Sequence, residues 1–148
     1  EQFFARLTWL SSKQVLDIEG LGESGWRTLW QAHHFEHLFS WLLLTQAQMQ
    51  ATPGFSSARG LALWHRFNLV REKPFIRWLM ALGVPLTQAS LKAMGNVTWQ
   101  TLSERNAKDW QSLPGTGERK ARQIVAFIHD PGVAGLASWL GKQGLPGF

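Results

Sequence analysis

The sequence predicts an all-α protein built from a repeated helix–turn–helix unit. Three observations lead there. No segment of four to eight residues alternates strictly between apolar and polar, and β-branched residues are sparse, so strands find no support. Apolar residues recur instead at helical spacing, as in Ala121, Ile124, Val125 and Ile128. Finally, a short turn leading straight into such a helix recurs four times, three of them with glycine at one or both key positions.

In chain order, short helices are predicted over residues 2–10 and 12–16, with Ser11 or Ser12 as N-cap. The segment Ile18-Glu19-Gly20-Leu21-Gly22 is a turn into a helix that carries Trp26, Leu29 and Trp30 inward to about Ala32. An apolar helix is predicted over residues 35–44, and one further helical turn from Thr45 to Gln50. Thr52-Pro53-Gly54-Phe55-Ser56 is a second turn. Its helix, capped by Ser56, runs to about Val70 with Leu61, Leu63, Trp64 and Phe67 available to the core. Lys73-Pro74 opens a helix ending at Gly83, and Val84-Pro85-Leu86-Thr87-Gln88 is a third, degraded turn into a helix reaching Met94. Two short helices over 98–104 and 106–112 are led by Thr98 and Asn106. Leu113-Pro114-Gly115-Thr116-Gly117 is the last and best-formed turn; its basic helix ends near Asp130-Pro131, and a final helix covers about 133–143.

Composition narrows the function classes. The chain has 148 residues with a net charge of +5, enough for a proper core and favouring an anionic partner. The charged residues form no long run that would suggest a disordered basic tail. There is no cysteine, which excludes disulfides, thiol catalysis and cysteine-based zinc sites within these residues. No apolar stretch approaches the ~20 residues of a membrane-crossing helix. Nine tryptophans are many for this length. They could stack on exposed bases, but at helical spacing they read first as core, because aromatic rings bury so much apolar surface.

When the four turns are aligned on the second-glycine position, it holds Gly22, Ser56, Thr87 and Gly117, at steps of 34, 31 and 30 residues. Two residues earlier stand Gly20, Gly54, Pro85 and Gly115, with Leu21, Phe55, Leu86 or Thr116 between. Seven residues later the position is always apolar: Leu29, Leu63, Met94 or Ile124. A fixed period of this kind marks a repeated supersecondary unit that must pair with its neighbours to bury its apolar face. Glycine lets such a turn adopt positive φ. The helix start behind it offers free N–H groups and a partial positive charge, which together suit a phosphate. For one turn alone, a plain structural corner explains the residues equally well.

This pattern resembles the helix-hairpin-helix motif. Leu113 to Val125 is a near-complete match and Ile18 to Trp30 a strong one, with Trp26 where a small residue is usual. Thr52 to Trp64 matches moderately and Val84 to Met94 weakly. Four such hairpins, near residues 16–31, 50–65, 82–95 and 110–129 of one domain spanning 1–148, resemble the helix-hairpin-helix domain of bacterial NAD-dependent DNA ligases. Leu16 to Glu23 is similar to the opening segment of that domain, Phe75 to Val84 to its central F-x-x-x-L-x-A-L-G-I segment, and Leu113 to Ile124 to its fourth hairpin. The eroded middle hairpins, and a chain that ends soon after the fourth without a BRCT domain, are most similar to the variant form of the family called DNA ligase B.

The resemblance implies four hairpins, two of them degenerate, packed as two pseudo-twofold pairs. They would grip double-stranded, nicked DNA across the minor groove, without reading sequence, during repair and replication in the bacterial cytoplasm. Adenylation with NAD, and the divalent magnesium that serves it, would belong to a catalytic domain upstream, and the family's zinc-binding cysteines would lie just upstream of the present residues. The present residues then hold no catalytic group, cofactor or metal, and the chain is expected to act as a monomer without membrane contact.

The residues expected to meet DNA are Gly20, Leu21 and Gly22 of the first hairpin, and Gly54, Phe55, Ser56 and Arg59 of the second. Thr87, Gln88 and Lys92 follow from the third, then Gly115, Thr116, Gly117, Arg119, Lys120 and Arg122 from the fourth. Pro85 has no N–H to donate, and Arg27 is a weaker candidate.

Three rival readings have their own residues. His33 and His37 are four apart, as in a helical metal site, but no third ligand is evident. A helix-hairpin-helix DNA glycosylase would place lysine where Arg119 stands and a catalytic aspartate well beyond, where Asp130 has the form of a helix cap. A protein–protein module, or another DNA-repair module of this kind, would also use such hairpins.

Overall fold

Gln2–Leu10 forms the first helix, α1, with Leu7 and Leu10 turned inward. It is the first of ten α-helices among residues 2–148, which are the residues that the computed structural model describes; no strand occurs among them. The protein is all-α. The chain folds as two compact units, Glu1–Lys73 and Pro74–Phe148.

In the first unit α1 packs on α2 (Glu23–His33), and α3 (Gln46–Gln50) packs on α4 (Ser57–Leu69). Trp26 of α2 is the centre of its core. Its fully buried ring stacks on Phe67 at 5.8 Å and meets Trp41 and Phe35 edge-on at 5.7 and 6.2 Å. The one polar atom of that ring is satisfied, since Nε1 donates to the buried Ser11 hydroxyl at 3.4 Å. Gly60 is buried where α4 crosses α3. A Cβ at that point would collide with the backbone carbonyl of Met49, so the helices approach this closely only because glycine is there.

Two stretches of this unit depart from the helices that periodicity predicts. Residues 12–16 form turns instead of a helix. Leu16 N–H is tied back to Leu10 O at the end of α1 at 3.0 Å, and the Asp17 amide closes the turns by donating to Ser12 O at 2.9 Å. Neither Ser11 nor Ser12 is an N-cap, because no helix follows them, and the Ser11 hydroxyl donates to Thr8 O at 2.8 Å. Residues 35–44 contain only a 3₁₀ segment, Ser40–Leu43. Local polar bonds compete with the helix there: the Phe39 amide donates to His37 Nδ1 at 3.1 Å and the His37 amide to Ser40 Oγ at 3.0 Å. Phe35, Phe39, Trp41 and Leu42 are still buried, but Leu43 is 56% exposed.

The second unit contains α5 (Phe75–Leu82), α6 (Gln88–Ala93), α7 (Trp99–Glu104), α8 (Ala107–Gln111), α9 (Glu118–Ile128) and α10 (Pro131–Lys142). Its boundaries follow the caps written in the sequence. Gly83 ends α5 at φ 91, and Thr98 and Asn106 each complete a capping box. Asp130 accepts from the amides of Gly132 and Val133 ahead of Pro131. Ala121, Ile124 and Ile128 form the buried stripe of α9, which packs against α7, α8 and α10. Near the chain end, Gly147 O accepts from the Trp99 amide at 2.7 Å, and the Phe148 ring lies against Phe75 at 4.9 Å.

Tryptophan is mainly a core residue in this fold. Trp26, Trp41, Trp78 and Trp110 are fully buried, while Trp9 is 43% exposed and Trp64, expected inside, is only half-buried. No single helix among the described residues is long and apolar enough to cross a membrane.

Candidate nucleic-acid interface

All four aligned positions have the same backbone role. Gly22, Ser56, Thr87 and Gly117 are the N-caps of α2, α4, α6 and α9, each with extended φ and ψ. Two residues earlier, Gly20, Gly54 and Gly115 take left-handed φ of 77, 93 and 75, and only Pro85 breaks the set. Four residues past the N-cap, Trp26, Gly60, Leu91 and Ala121 are all buried, which is how each turn is fastened to its unit. Two turns fall in each unit.

In the second and fourth turns proline precedes the left-handed glycine, and the following amide closes the turn. Phe55 N–H donates to Thr52 O at 3.1 Å and Thr116 N–H to Leu113 O at 3.2 Å. This is the Pro-Gly arrangement of a tight turn, with proline fixing φ and glycine supplying the positive one.

Side chains then divide the four turns into two kinds. Ser56 Oγ accepts from the Arg59 amide and Thr87 Oγ1 from the Ser90 amide, both at 3.1 Å. The second and third turns therefore satisfy a helix-start donor internally. Gly22 and Gly117 offer no side-chain cap, and a Cβ built on either meets nothing within 4 Å. Packing does not demand glycine at these two positions, and the first-turn donors of α2 and α9 are left to an external acceptor.

The cations differ as well. Arg119 and Lys120 are exposed on the first turn of α9. Arg122, also exposed, is held by Glu118, one helical turn back. Arg119, Arg122, Gln123 and Ala126 line a shallow hollow on the face of α9 opposite its buried stripe. Lys92 is exposed on α6, and the side chain of Gln88 lies outside the described set.

Arg59 does not extend freely. Its guanidinium lies over the Phe55 ring at 4.3 Å and donates to Gly20 O at 3.2 Å. Two helical turns on, Arg66 donates to Glu19 O at 2.8 Å. In return, the turn at Gly54 lies against Thr28 of α2, whose Cγ2 is 3.4 Å from where a glycine Cβ would be. Each turn of the first unit thus leans on the helix of the other. Arg66 was missed in the sequence, where its signal is the seven-residue spacing from Arg59 that puts both on one face of α4. Arg27 is also engaged, by Glu23 at 3.2 Å and by the Phe4 ring at 4.4 Å.

The histidine pair does not share a helix. α2 stops at His33, and His34 follows with φ 51. His33 Nε2 lies 2.9 Å from Thr52 Oγ1, whose own proton goes to Gln48 O, so the histidine nitrogen is the donor. Partial burial holds His33 below its usual pKa, opposed by the Gln48 backbone; His37 is lowered by burial too, against the pull of Glu36. Among the described residues no three histidine, aspartate or glutamate side chains cluster as metal ligands.

No family model matches the chain.

Proposed function

We propose that the chain is the duplex-binding helix-hairpin-helix domain of an NAD-dependent DNA ligase. Its four turns would be four hairpins in two pseudo-twofold pairs, one pair in each unit. It would hold nicked DNA by the backbone across the minor groove while an upstream catalytic domain seals the break with NAD and magnesium. The observation that carries this reading is the pair of uncapped glycine N-caps, Gly22 and Gly117, with exposed Arg119 and Lys120 beside the second. Helix-start amides in that state bind a phosphate oxygen, and the cations add an attraction that reads no sequence.

On this reading the hairpins take unequal parts. The first and fourth contact phosphate, while the second and third, capped by Ser56 and Thr87, are chiefly scaffold. Binding is expected to be sequence-tolerant, indifferent to a nick for this chain alone, and weak, with a Kd of roughly 10⁻⁴–10⁻⁶ M.

A salt titration of duplex binding tests the reading. The logarithm of affinity should fall with the logarithm of salt at a slope of about −0.9 for each phosphate neutralised. Gly117→Glu should weaken binding with helicity intact. A flat slope, or wild-type affinity in that variant, rejects the proposal. The self-capped middle turns favour a second reading, a protein-docking module, which a gel shift without DNA binding at low salt would promote.

A further inference from the structure

We infer that Arg59 and Arg66 are positioning residues which hold the first turn in its phosphate-binding orientation, and that the second hairpin survives as the clasp that carries them. The inference rests on the proposed DNA-binding reading for its functional consequence, but the clasp itself stands on geometry within the first unit.

The first turn lacks the devices that stiffen the second and fourth. Glu19 stands where they have Pro53 and Pro114, so φ is not fixed by a ring. Among the described residues no hydrogen bond from Leu21 N–H to Ile18 O closes this turn, whereas its counterparts measure 3.1 and 3.2 Å. Two guanidiniums supply what is missing. Arg66 bonds to Glu19 O at 2.8 Å and Arg59 to Gly20 O at 3.2 Å, which are consecutive carbonyls of this turn. Arg66 also fills the space beside Gly20, its Nη1 lying 2.9 Å from where a Cβ would be.

The consequence follows from peptide planarity. In a trans peptide the C=O and the next N–H point in opposite directions, and no peptide bond among the described residues is cis. With both carbonyls turned toward α4, the amides of Gly20 and Leu21 point away from it. Ser56 meanwhile caps α4 internally, and the Arg59 guanidinium lies over the Phe55 ring. The eroded second hairpin is therefore not an empty relic: its phosphate-binding features are spent on its own helix, and its cations are directed at the neighbouring turn.

The test uses the whole 148-residue chain, first without DNA. Backbone amide order parameters of Gly20 and Leu21 should lie near ~0.85 in the wild type and drop toward ~0.6 in Arg59→Ala or Arg66→Ala. Those of Gly115 and Thr116 should not move. Either single variant decides the matter should the other unfold. Unchanged order at Gly20 and Leu21 overturns the clasp whether or not DNA binds.

Duplex binding then tests the consequence. Each single variant should weaken it about three- to tenfold, the effect of one lost hydrogen bond, at an unchanged salt slope. In a Gly22→Glu background, the same substitution should cause no further loss. A slope reduced by about 0.9 would make the arginine a direct phosphate contact and refute the positioning role. If the wild type fails to bind any duplex, the ligase-domain reading falls, and the order parameters still decide the clasp.

Discussion

Gly117→Ser should raise stability and lower DNA affinity together, a combination that separates a binding turn from a structural corner. Gly117 has φ −85 and ψ −179, which any residue adopts, and its Cβ position is open. A serine there can take the geometry already seen at Ser56, whose hydroxyl accepts from the amide three residues on at 3.1 Å. Replacing glycine by serine at an N-cap is worth a few tenths of a kcal/mol. Restricting the unfolded chain at a former glycine adds about 0.4–1 kcal/mol. The net gain of about 0.6–1.4 kcal/mol should raise Tm by roughly 1–6 °C for a chain of this size.

The same hydroxyl competes with a phosphate for the donor. Losing a hydrogen bond to a charged acceptor on that scale should weaken duplex binding about tenfold, or ~1.4 kcal/mol. Gly117→Ala is the control, since it adds the Cβ without the competing oxygen. If competition is the cause, alanine should bind more tightly than serine although its helix is less well capped. Thermal unfolding with fluorescence anisotropy of a labelled duplex measures both quantities. Wild-type affinity in Gly117→Ser, alongside the expected stabilisation, would refute the open-cap argument.

Other perturbations have equally definite outcomes. Gly60→Ala should destabilise the first unit by about 1–3 kcal/mol or more, because the new methyl meets the Met49 and Gln50 backbone and no flexible side chain can yield; urea unfolding that matches wild type would contradict the helix crossing. Glu118→Gln should tighten duplex binding about two- to threefold and steepen its salt dependence. It frees Arg122 and removes a negative charge from the start of α9, and anisotropy at two salt concentrations reads both effects.

For His33, the folded pKa lies below the unfolded value of 6.5, so the unfolded state binds the proton more readily. Stability from this group is complete above 6.5 and is lost as pH falls through the folded value. Urea midpoints should drop on going from pH 7.5 to 5.5, and His33→Gln should flatten that decline; an equal decline in the variant would acquit His33.

Much of the fold was legible because caps and turns act locally. Gly83, Thr98, Asn106 and Asp130 end or begin helices wherever they stand, and the structure uses each as read. The spacing of Gly22, Ser56, Thr87 and Gly117 likewise located four helix starts, because an N-cap is a property of a few consecutive residues. Periodicity failed at residues 12–16 and 35–44, where the apolar residues were right but the path was not. Phe35, Phe39 and Trp41 are buried by the aromatic cluster around Trp26, and burial alone does not require a helix.

An all-helical protein with four aligned turns, two of them carrying glycine at both key positions, was readable from the residues alone. Those features depend on φ preferences, missing Cβ atoms and hydroxyl caps, all of which act within a few residues of chain. What the cations do depends on how the helices pack. Arg59 and Arg119 look alike in sequence, each one turn past a hairpin. Arg119 stands exposed on α9, whereas Arg59 lies on Phe55 and bonds to Gly20 O, 39 residues away in the chain. A long side chain can reach several acceptors, and which one it finds is fixed by the packing of helices that the local sequence does not specify.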